Sequence, residues 1–462
     1  MNGPLLTVYI TNYNYEAYIK QAIESVLNQS FQDFELLIID DGSTDNSRDI
    51  IESYKDHEQI TIIYQQNKGL NVTNNIALRL SNGKYIMRLD ADDYLTSDAL
   101  EKMTGLLESD VDLGMVFPDY YLVDASNQIM AEIKRHDFND EVTLLDQPAH
   151  GACTVIRTDF LRTVGGYDES YSCQDGYELW IKFSTKYKVL NVREPLFYYR
   201  RHGQNLTTNE NRILGTRRSI NRNFILNNEI ELPKTLGILP LRGKRMKGQL
   251  LALIEMAGQT LIERKVSGIL ASRHLDHLVI TVSDADLLQA IQPLFADEDR
   301  VTCVERPREL ARPNISLQGT IENCLVHPAF ASADYEAAMV LPIEFPFIDG
   351  EYIDDALHAL VIFNADALIS VRQESNIFYQ HRGSGMEPIL DQNKFTRLER
   401  ESLYKGIGGI TLTRLAGMRK HDVILHGKVG HVVVDQQAAM GIHSGFDLQL
   451  IRLLMETVEK PV

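Results

Sequence analysis

Apolar and polar positions alternate in short blocks along the first part of the chain. Leu5 to Thr11, Phe34 to Asp40, Ile60 to Gln65 and Tyr85 to Leu89 are compact apolar runs of strand length, rich in β-branched residues. Between them, Tyr18 to Leu27, Ser47 to Tyr54 and Val72 to Leu80 carry the apolar spacing of one helix face. Strands that alternate with helices must pair in parallel through right-handed crossovers. The pattern therefore predicts an α/β layered domain with its ligand at the carboxyl ends of the strands. A second series follows: Leu236 to Leu239, a helix near Thr260 to Ala271, then His277 to Val282, Ala337 to Leu341 and Ala367 to Val371. The polar stretch Asn221 to Glu231 and Pro233 separate the two series. The predicted architecture is two α/β domains, residues 1–232 and 233–462.

Composition narrows the class. A chain of 462 residues, 44% hydrophobic and 24% charged, is that of a globular protein with more than one core. A formal charge of -18 repels nucleic-acid phosphates and anionic lipid, so neither is expected as a bulk electrostatic partner. A basic stretch between Arg212 and Lys247 runs against this balance and reads as a solvated linker helix ahead of a membrane-surface contact. No transmembrane segment and no signal peptide are read, which gives a cytoplasmic location, with a peripheral position at the inner membrane as the alternative. Cys153, Cys173, Cys303 and Cys324 show neither paired metal spacing nor disulfide density, and are read as reduced thiols.

The acidic residues fall where the layered fold places its ligand. One strand ends in Asp40-Asp41-Gly42-Ser43-Thr44-Asp45 and another in Asp90-Ala91-Asp92-Asp93. Taken alone, the first cluster reads as a turn. For the second, an N-cap before a helix over Asp98 to Leu107 explains one acid but not three after an apolar strand. Crowded carboxylates repel one another unless a cation offsets them, so Asp90 to Asp93 is the candidate metal site. Mg²⁺ or Mn²⁺, both suited to oxygen ligands, would stabilise the charge of a departing nucleoside diphosphate there.

Five ordered segments resemble family 2 glycosyltransferases. They are Thr11-Asn12-Tyr13-Asn14, Ser25 to Ser30, Ile39 to Asp45, Asn67-Lys68-Gly69-Leu70 and Leu89-Asp90-Ala91-Asp92-Asp93. The resemblance extends to about residue 205 and implies a GT-A fold. It also implies donor contacts from Thr11, Tyr13, Asp41 near the nucleobase, Lys68 and Asp90, with Asp92 and Asp93 as metal ligands. In Gly165 to Asp168 and Gln174 to Trp180 it implies an acidic general base, Asp175, with Glu178 as rival because Gly176 looks inserted. Tyr198 to Asn205 resembles a basic segment over the donor, with Arg201 and His202 suited to phosphate oxygens; a solvated loop is the alternative. Asn74-Asn75 replaces an Arg-Asn common in relatives.

The second half resembles acylneuraminate cytidylyltransferases through Ile238 to Gly248, Val304 to Ala311, Val340 to Pro342, Ser370-Val371 and Val432 to Leu450. It departs from them where chemistry resides. Gly441 and His443 stand at the two metal-binding acids, Leu251-Ala252 replaces a Lys-Asn pair, and Leu341 to Ile348 lacks an Arg and introduces Glu344. The expectation is a retained fold with lost or altered cytidylyltransferase activity.

The leading expectation is a metal-dependent, inverting glycosyltransferase of bacterial surface polysaccharide or glycan synthesis. Its donor would be a nucleotide-diphosphate sugar, UDP first, and its acceptor a glycan, a lipid-linked chain or a protein; a homodimer would form through the second domain. Two alternatives stay open: a bifunctional enzyme that also makes a CMP-sugar, and a sugar-nucleotide-binding scaffold.

Overall fold

The computed structural model describes residues 3–134, 151–202, 210–312, 314–374, 379–381, 383, 386–388 and 403–458. Its contacts divide the chain into two compact units, Met1–Ile220 and Asn221–Val462.

The first unit opens with the alternation read from the sequence: β1 (Leu6–Asn12), α1 (Ile19–Leu27), β2 (Phe34–Asp40), α2 (Ser47–Glu52), β3 (Ile60–Tyr64), α3 (Leu70–Leu80) and β4 (Tyr85–Asp90). There follow β5 (Tyr94–Leu95), α4 (Ala99–Ser109), β6 (Leu113–Val123), β7 (Ile129–Ile133), β8 (Val155–Arg157), α5 (Thr158–Thr163), α6 (Asp175–Ser184), β9 (Lys188–Arg200) and α7 (Glu210–Asn227). The sheet order is β3-β2-β1-β4-β8-β6-β9-β5, with β7 beside β6. Pairing is parallel from β3 to β4, and parallel again between β6 and β9. Beyond β4 the sheet is mixed, because β8 enters antiparallel to both β4 and β6 and β5 is antiparallel to β9.

Strand period places the core. Leu6, Val8 and Ile10 of β1 pack with α1 and with Leu100, Met103 and Leu107 of α4. Tyr9, on the opposite face, packs with Ala77 and Leu78 of α3 and with Leu179, Trp180 and Phe183 of α6. Full burial of each such side chain contributes about 1.5–3 kcal/mol, enough to fix the register of every central strand.

The basic stretch is not a solvated linker throughout. Within the first unit, Arg217 of α7 donates from Nε to Gln174 Oε1 at 2.7 Å and lies over the Tyr177 ring at 5.0 Å. Arg212 donates to the Ser172 carbonyl at 3.0 Å. The forked guanidinium finds acceptors and an aromatic face at the start of α6, which composition alone did not reveal. Among the described residues no helix is long and apolar enough to cross a membrane.

The second unit builds a seven-stranded sheet around β10 (Thr235–Leu241). Its order is Val301–Glu305, His277–Val282, β10, Ala337–Val340, Leu403–Arg414, Ala367–Glu374 and Val429–Val433. Leu403–Arg414 runs antiparallel to both of its neighbours. A cleft opens at the carboxyl end of β10, lined by Arg242, Lys244, Leu251, Ala252, Ile343 and Glu344 among others.

Lys265, on the helix Leu261–Leu270, is fully buried and donates from Nζ to the carbonyls of Phe345 at 2.8 Å and Ile348 at 3.0 Å. Burial pushes its pKa down to about 7, against the pull of Asp349 and Glu344. In the unfolded chain this lysine keeps its proton to about pH 10. Between those values the unfolded state holds the extra proton, so the stability of this unit rises with pH from about 7 upward. Calorimetric midpoints of the full chain at pH 6.5 and 9 should show that rise. In Lys265→Met the rise should be absent and the midpoint lower at pH 9, because two buried carbonyls lose their donor. An equal slope in both proteins would refute the assignment.

Candidate active site

At the centre of the first sheet β1 lies between β2 and β4, and register pairs Asn12 with Asp40 and Thr11 with Asp90. The chain order of the strands reverses direction here, and parallel sheets open a crevice at such a point. Both acidic clusters therefore meet along one edge.

Asp40 and Asp41 are turned inward to hold that edge. Asp40 accepts from Asn12 Nδ2 at 2.9 Å and from the Ser43 N–H at 3.0 Å. Asp41 Oδ1 accepts from Gln65 Nε2 at 2.7 Å and the Lys68 N–H at 2.8 Å, and its Oδ2 accepts from the Gly69 N–H at 2.9 Å. Gly69 has φ +86°, which suits glycine, so this loop closes on the carboxylate without strain. Lys68 takes part through its backbone while its side chain is exposed, and Tyr13 is 45% exposed beside the same edge. Asn74 and Asn75 face the protein: Asn74 Oδ1 accepts from the Tyr9 hydroxyl at 3.2 Å, and Asn75 Nδ2 donates to the Tyr167 carbonyl at 2.8 Å.

The acids after β4 each have a different neighbour. Asp90 Oδ1 accepts from Thr11 Oγ1 at 3.3 Å. Arg88 Nε lies 2.9 Å from the same oxygen, an ion pair not angled for a hydrogen bond. Asp92 Oδ2 is 2.9 Å from His202 Nε2, and that ring stacks on Tyr18 at 5.6 Å. Asp93 Oδ1 accepts from the Arg200 N–H at 2.9 Å, while its Oδ2 is buried with no partner among the described residues. None of the three caps a helix, since β5 intervenes before α4 begins at Ala99.

Burial raises the pKa of Asp90 to about 6, with Asp92 and Asp175 adding to the rise and Arg88 opposing it. Asp93 is raised as well, by burial first and then by Asp92 and Asp90. Among the described residues no three His, Cys, Asp or Glu side chains could by themselves hold a metal ion. Magnesium-type sites are built from one or two carboxylates completed by phosphate oxygens and water, and the charge-crowded Asp92 and Asp93, with one Asp93 oxygen unpartnered, fit that kind of partial donor set.

Asp175 is brought to the same cluster and Glu178 is not. Asp175 is the first residue of α6, and its Oδ2 accepts from Arg88 Nη1 at 2.5 Å. Glu178, one turn later, pairs with Lys182 and approaches the Asp168 N–H at 3.5 Å. Of the basic segment, His202 reaches the acids. Arg201 makes a backbone bond to the Val123 carbonyl at 2.8 Å, and its side chain has no hydrogen bond or ion pair among the described residues. Gly203, Gln204 and Asn205 lie outside the described residues.

Two residues were missed by sequence reasoning, Arg88 and Arg200. Arg200 is 1% exposed; it donates from Nε to the Asp92 carbonyl at 2.8 Å and from Nη2 to Gln21 Oε1 at 2.9 Å, and it lies over the Tyr18 ring at 4.5 Å. The signal for Arg88 was present: an arginine inside the apolar run Tyr-Ile-Met-Arg-Leu-Asp must find counter-charges when the strand is buried. Nothing in the doublet Arg200-Arg201 tells which side chain turns inward. That depends on the register of β9.

The site is thus an acid-lined edge at the switch point of an α/β sheet, with a further carboxylate tethered to it through Arg88. Residues 7–165 match the family model described as glycosyl transferase family 2. An uncharacterised glycosyltransferase of Methanocaldococcus jannaschii is 31% identical over 215 residues, 43% of this chain and 72% of that protein. The chain belongs to glycosyl transferase family 2. The chondroitin synthase of Escherichia coli is 30% identical over 203 residues, which span 44% of this chain and 30% of that enzyme's length. The solved structure of S. aureus TarS 1-349 in complex with UDP-GlcNAc aligns with a TM-score of 0.41 at 20% identity, over 48% of this chain and 66% of that one.

The raised acid fixes the sign of a pH effect. Asp90 holds its proton to about pH 6 in the folded protein and to about 3.9 unfolded, so stability is lost as pH rises through 6. Thermal midpoints in EDTA at pH 4.5 and 7.5 should fall more steeply in the wild type than in Asp90→Asn; equal slopes would contradict it.

Proposed function

We propose that the first unit is an inverting glycosyltransferase that takes its sugar from a nucleoside-diphosphate donor, with UDP the expected nucleotide. The observation that carries this reading is the tether of Asp175 to the acid edge through Arg88. An inverting transfer needs a carboxylate across the cleft from the departing diphosphate, within reach of the acceptor hydroxyl. Asp175 takes the hydroxyl proton while that oxygen bonds to the anomeric carbon; the bond from that carbon to the diphosphate breaks, and its electron pair leaves with the diphosphate. Glu178 is a weaker candidate because its partners are Lys182 and the Asp168 N–H, and nothing among the described residues ties it to the acid edge.

Asp92 and Asp93 are the residues proposed to hold Mg²⁺ or Mn²⁺, which when bound offsets the charge of the diphosphate. Thr11, Tyr13, Asp41, Lys68, Asp90 and His202 are proposed to shape the donor side, Asp41 chiefly by fixing the loop that carries Lys68. Arg201, partly exposed and without an ion pair among the described residues, is retained as a phosphate contact. The acceptor class, a glycan, lipid-linked chain or protein in bacterial surface polysaccharide synthesis, follows from the family reading alone.

For residues 233–462 we propose a cytidylyltransferase-like module without that activity. Gly441 offers no ligand atom, and the ring of His443, the other replacement, occupies the space where a side chain there would start, with Nε2 2.4 Å from the position of its Cβ. In the cleft, Lys244 donates to the Ile442 carbonyl at 2.8 Å and lies 4.0 Å from Glu344, and Leu251 and Ala252 form apolar wall. A triphosphate would face a carboxylate and find Lys244 already engaged, with Arg242 left to meet it.

Two measurements test these readings. Diphosphate release from a panel of UDP- and GDP-sugars, with Mn²⁺ and then with EDTA, should require metal and should fall by roughly 10²–10⁴-fold in Asp175→Asn. It should be abolished in Asp92→Ala. Metal-independent turnover would overturn the metal assignment, and an active Asp175→Asn the choice of base. Pyrophosphate release from CTP and an ulosonic acid is expected to be absent; its presence would make the enzyme bifunctional.

A further inference from the structure

We propose that Arg88 is a positioning residue for the transfer: it pins one oxygen of Asp175 and leaves the other to receive the acceptor proton. The inference rests on the reading of Asp175 as general base.

Arg88 is 4% exposed at the end of β4. A guanidinium taken out of water costs several kcal/mol unless opposite charges surround it. Arg88 has two such charges, and they belong to different parts of the site: Asp90 on its own strand and Asp175 at the start of α6. The backbone of Asp175 is already fixed. Gln174 holds φ 64°, with its side chain bonded to Arg217 Nε, and α6 follows directly. What remains is rotation of the carboxylate, and the bond from Arg88 Nη1 to Oδ2 removes it. Oδ1 takes no hydrogen bond among the described residues.

A second feature is built around the same pair. At Gly151 a Cβ would lie 2.5 Å from Arg88 Nη2 and 2.7 Å from Asp175 Oδ2. The φ of Gly151 is not left-handed, so the absence of a side chain serves space and not backbone conformation. The chain keeps clear the volume in which the arginine meets the carboxylate. A lysine could supply the charge but not the planar fork that reaches two carboxylates at once.

The full-length protein with Mn²⁺ and the UDP- and GDP-sugar panel serves as the test, with diphosphate release as readout. Arg88→Met should lower kcat about 10²-fold, the scale of a misplaced catalytic group, while the donor KM changes less than threefold. Arg88→Lys should recover part of kcat, and Gly151→Ala should lower kcat in the same way with every charge still present. Thermal midpoints of Arg88→Met, Asp175→Asn and the double variant need no substrate. The double variant should be no less stable than Arg88→Met, because Asp175 loses its partner in either case. Full kcat in Arg88→Met beside a dead Asp175→Asn would overturn the positioning role alone. An active Asp175→Asn would remove the reading on which it rests, and simply additive midpoints would overturn the coupling whether or not a donor is turned over.

Discussion

Three aspartates within four residues repel one another at the end of β4, and the first unit is organised around containing that repulsion. Two buried arginines do most of it from inside the protein. Arg88 stands between Asp90 and Asp175, and Arg200 braces the Asp92 carbonyl with its side chain and the Asp93 carboxylate with its backbone N–H. The containment is incomplete, since burial still raises Asp90 and Asp93. A site poised in this way gains from any cation that binds it, which the residual repulsion of its acids favours.

The same logic runs in the opposite direction in the second unit. Its cleft also opens beyond a central strand at the point where the chain order of the sheet reverses, but Lys244, one of the two basic residues that line it, is already engaged. Lys244 is held by the Ile442 carbonyl and faces Glu344, and the loop bearing Glu344 is itself fastened from below by the buried Lys265. In the first unit the inner shell concentrates negative charge; in the second, charge is neutralised internally and the wall is apolar. Two α/β sheets with clefts in equivalent places thus differ in the charge that a few side chains present there.

The strands and helices around β1 to β4 were legible because each is a short run of one period, and burial on both faces leaves the register no freedom. The acid clusters were legible because strand ends are legible. The mixed half of the sheet was not: β8 is three residues long, and nothing local says that it enters between β4 and β6 in the reverse direction. The basic stretch misled for a related reason, since composition records the charge of Arg212 and Arg217 but not the acceptors near the start of α6 that receive them.

The sequence by itself determined the layered α/β class, the edge that carries the acids and the family, because these depend on periodicity and on residues close together in the chain. Only the tertiary structure decided which carboxylate joins the acid edge. Asp175 and Glu178 lie within one helical turn of each other, yet Arg88, 87 residues before Asp175, reaches the first, while the second is held by Lys182 of its own helix. That choice depends on how α6 packs against β4, and on an ion pair between residues far apart in sequence that no local pattern encodes.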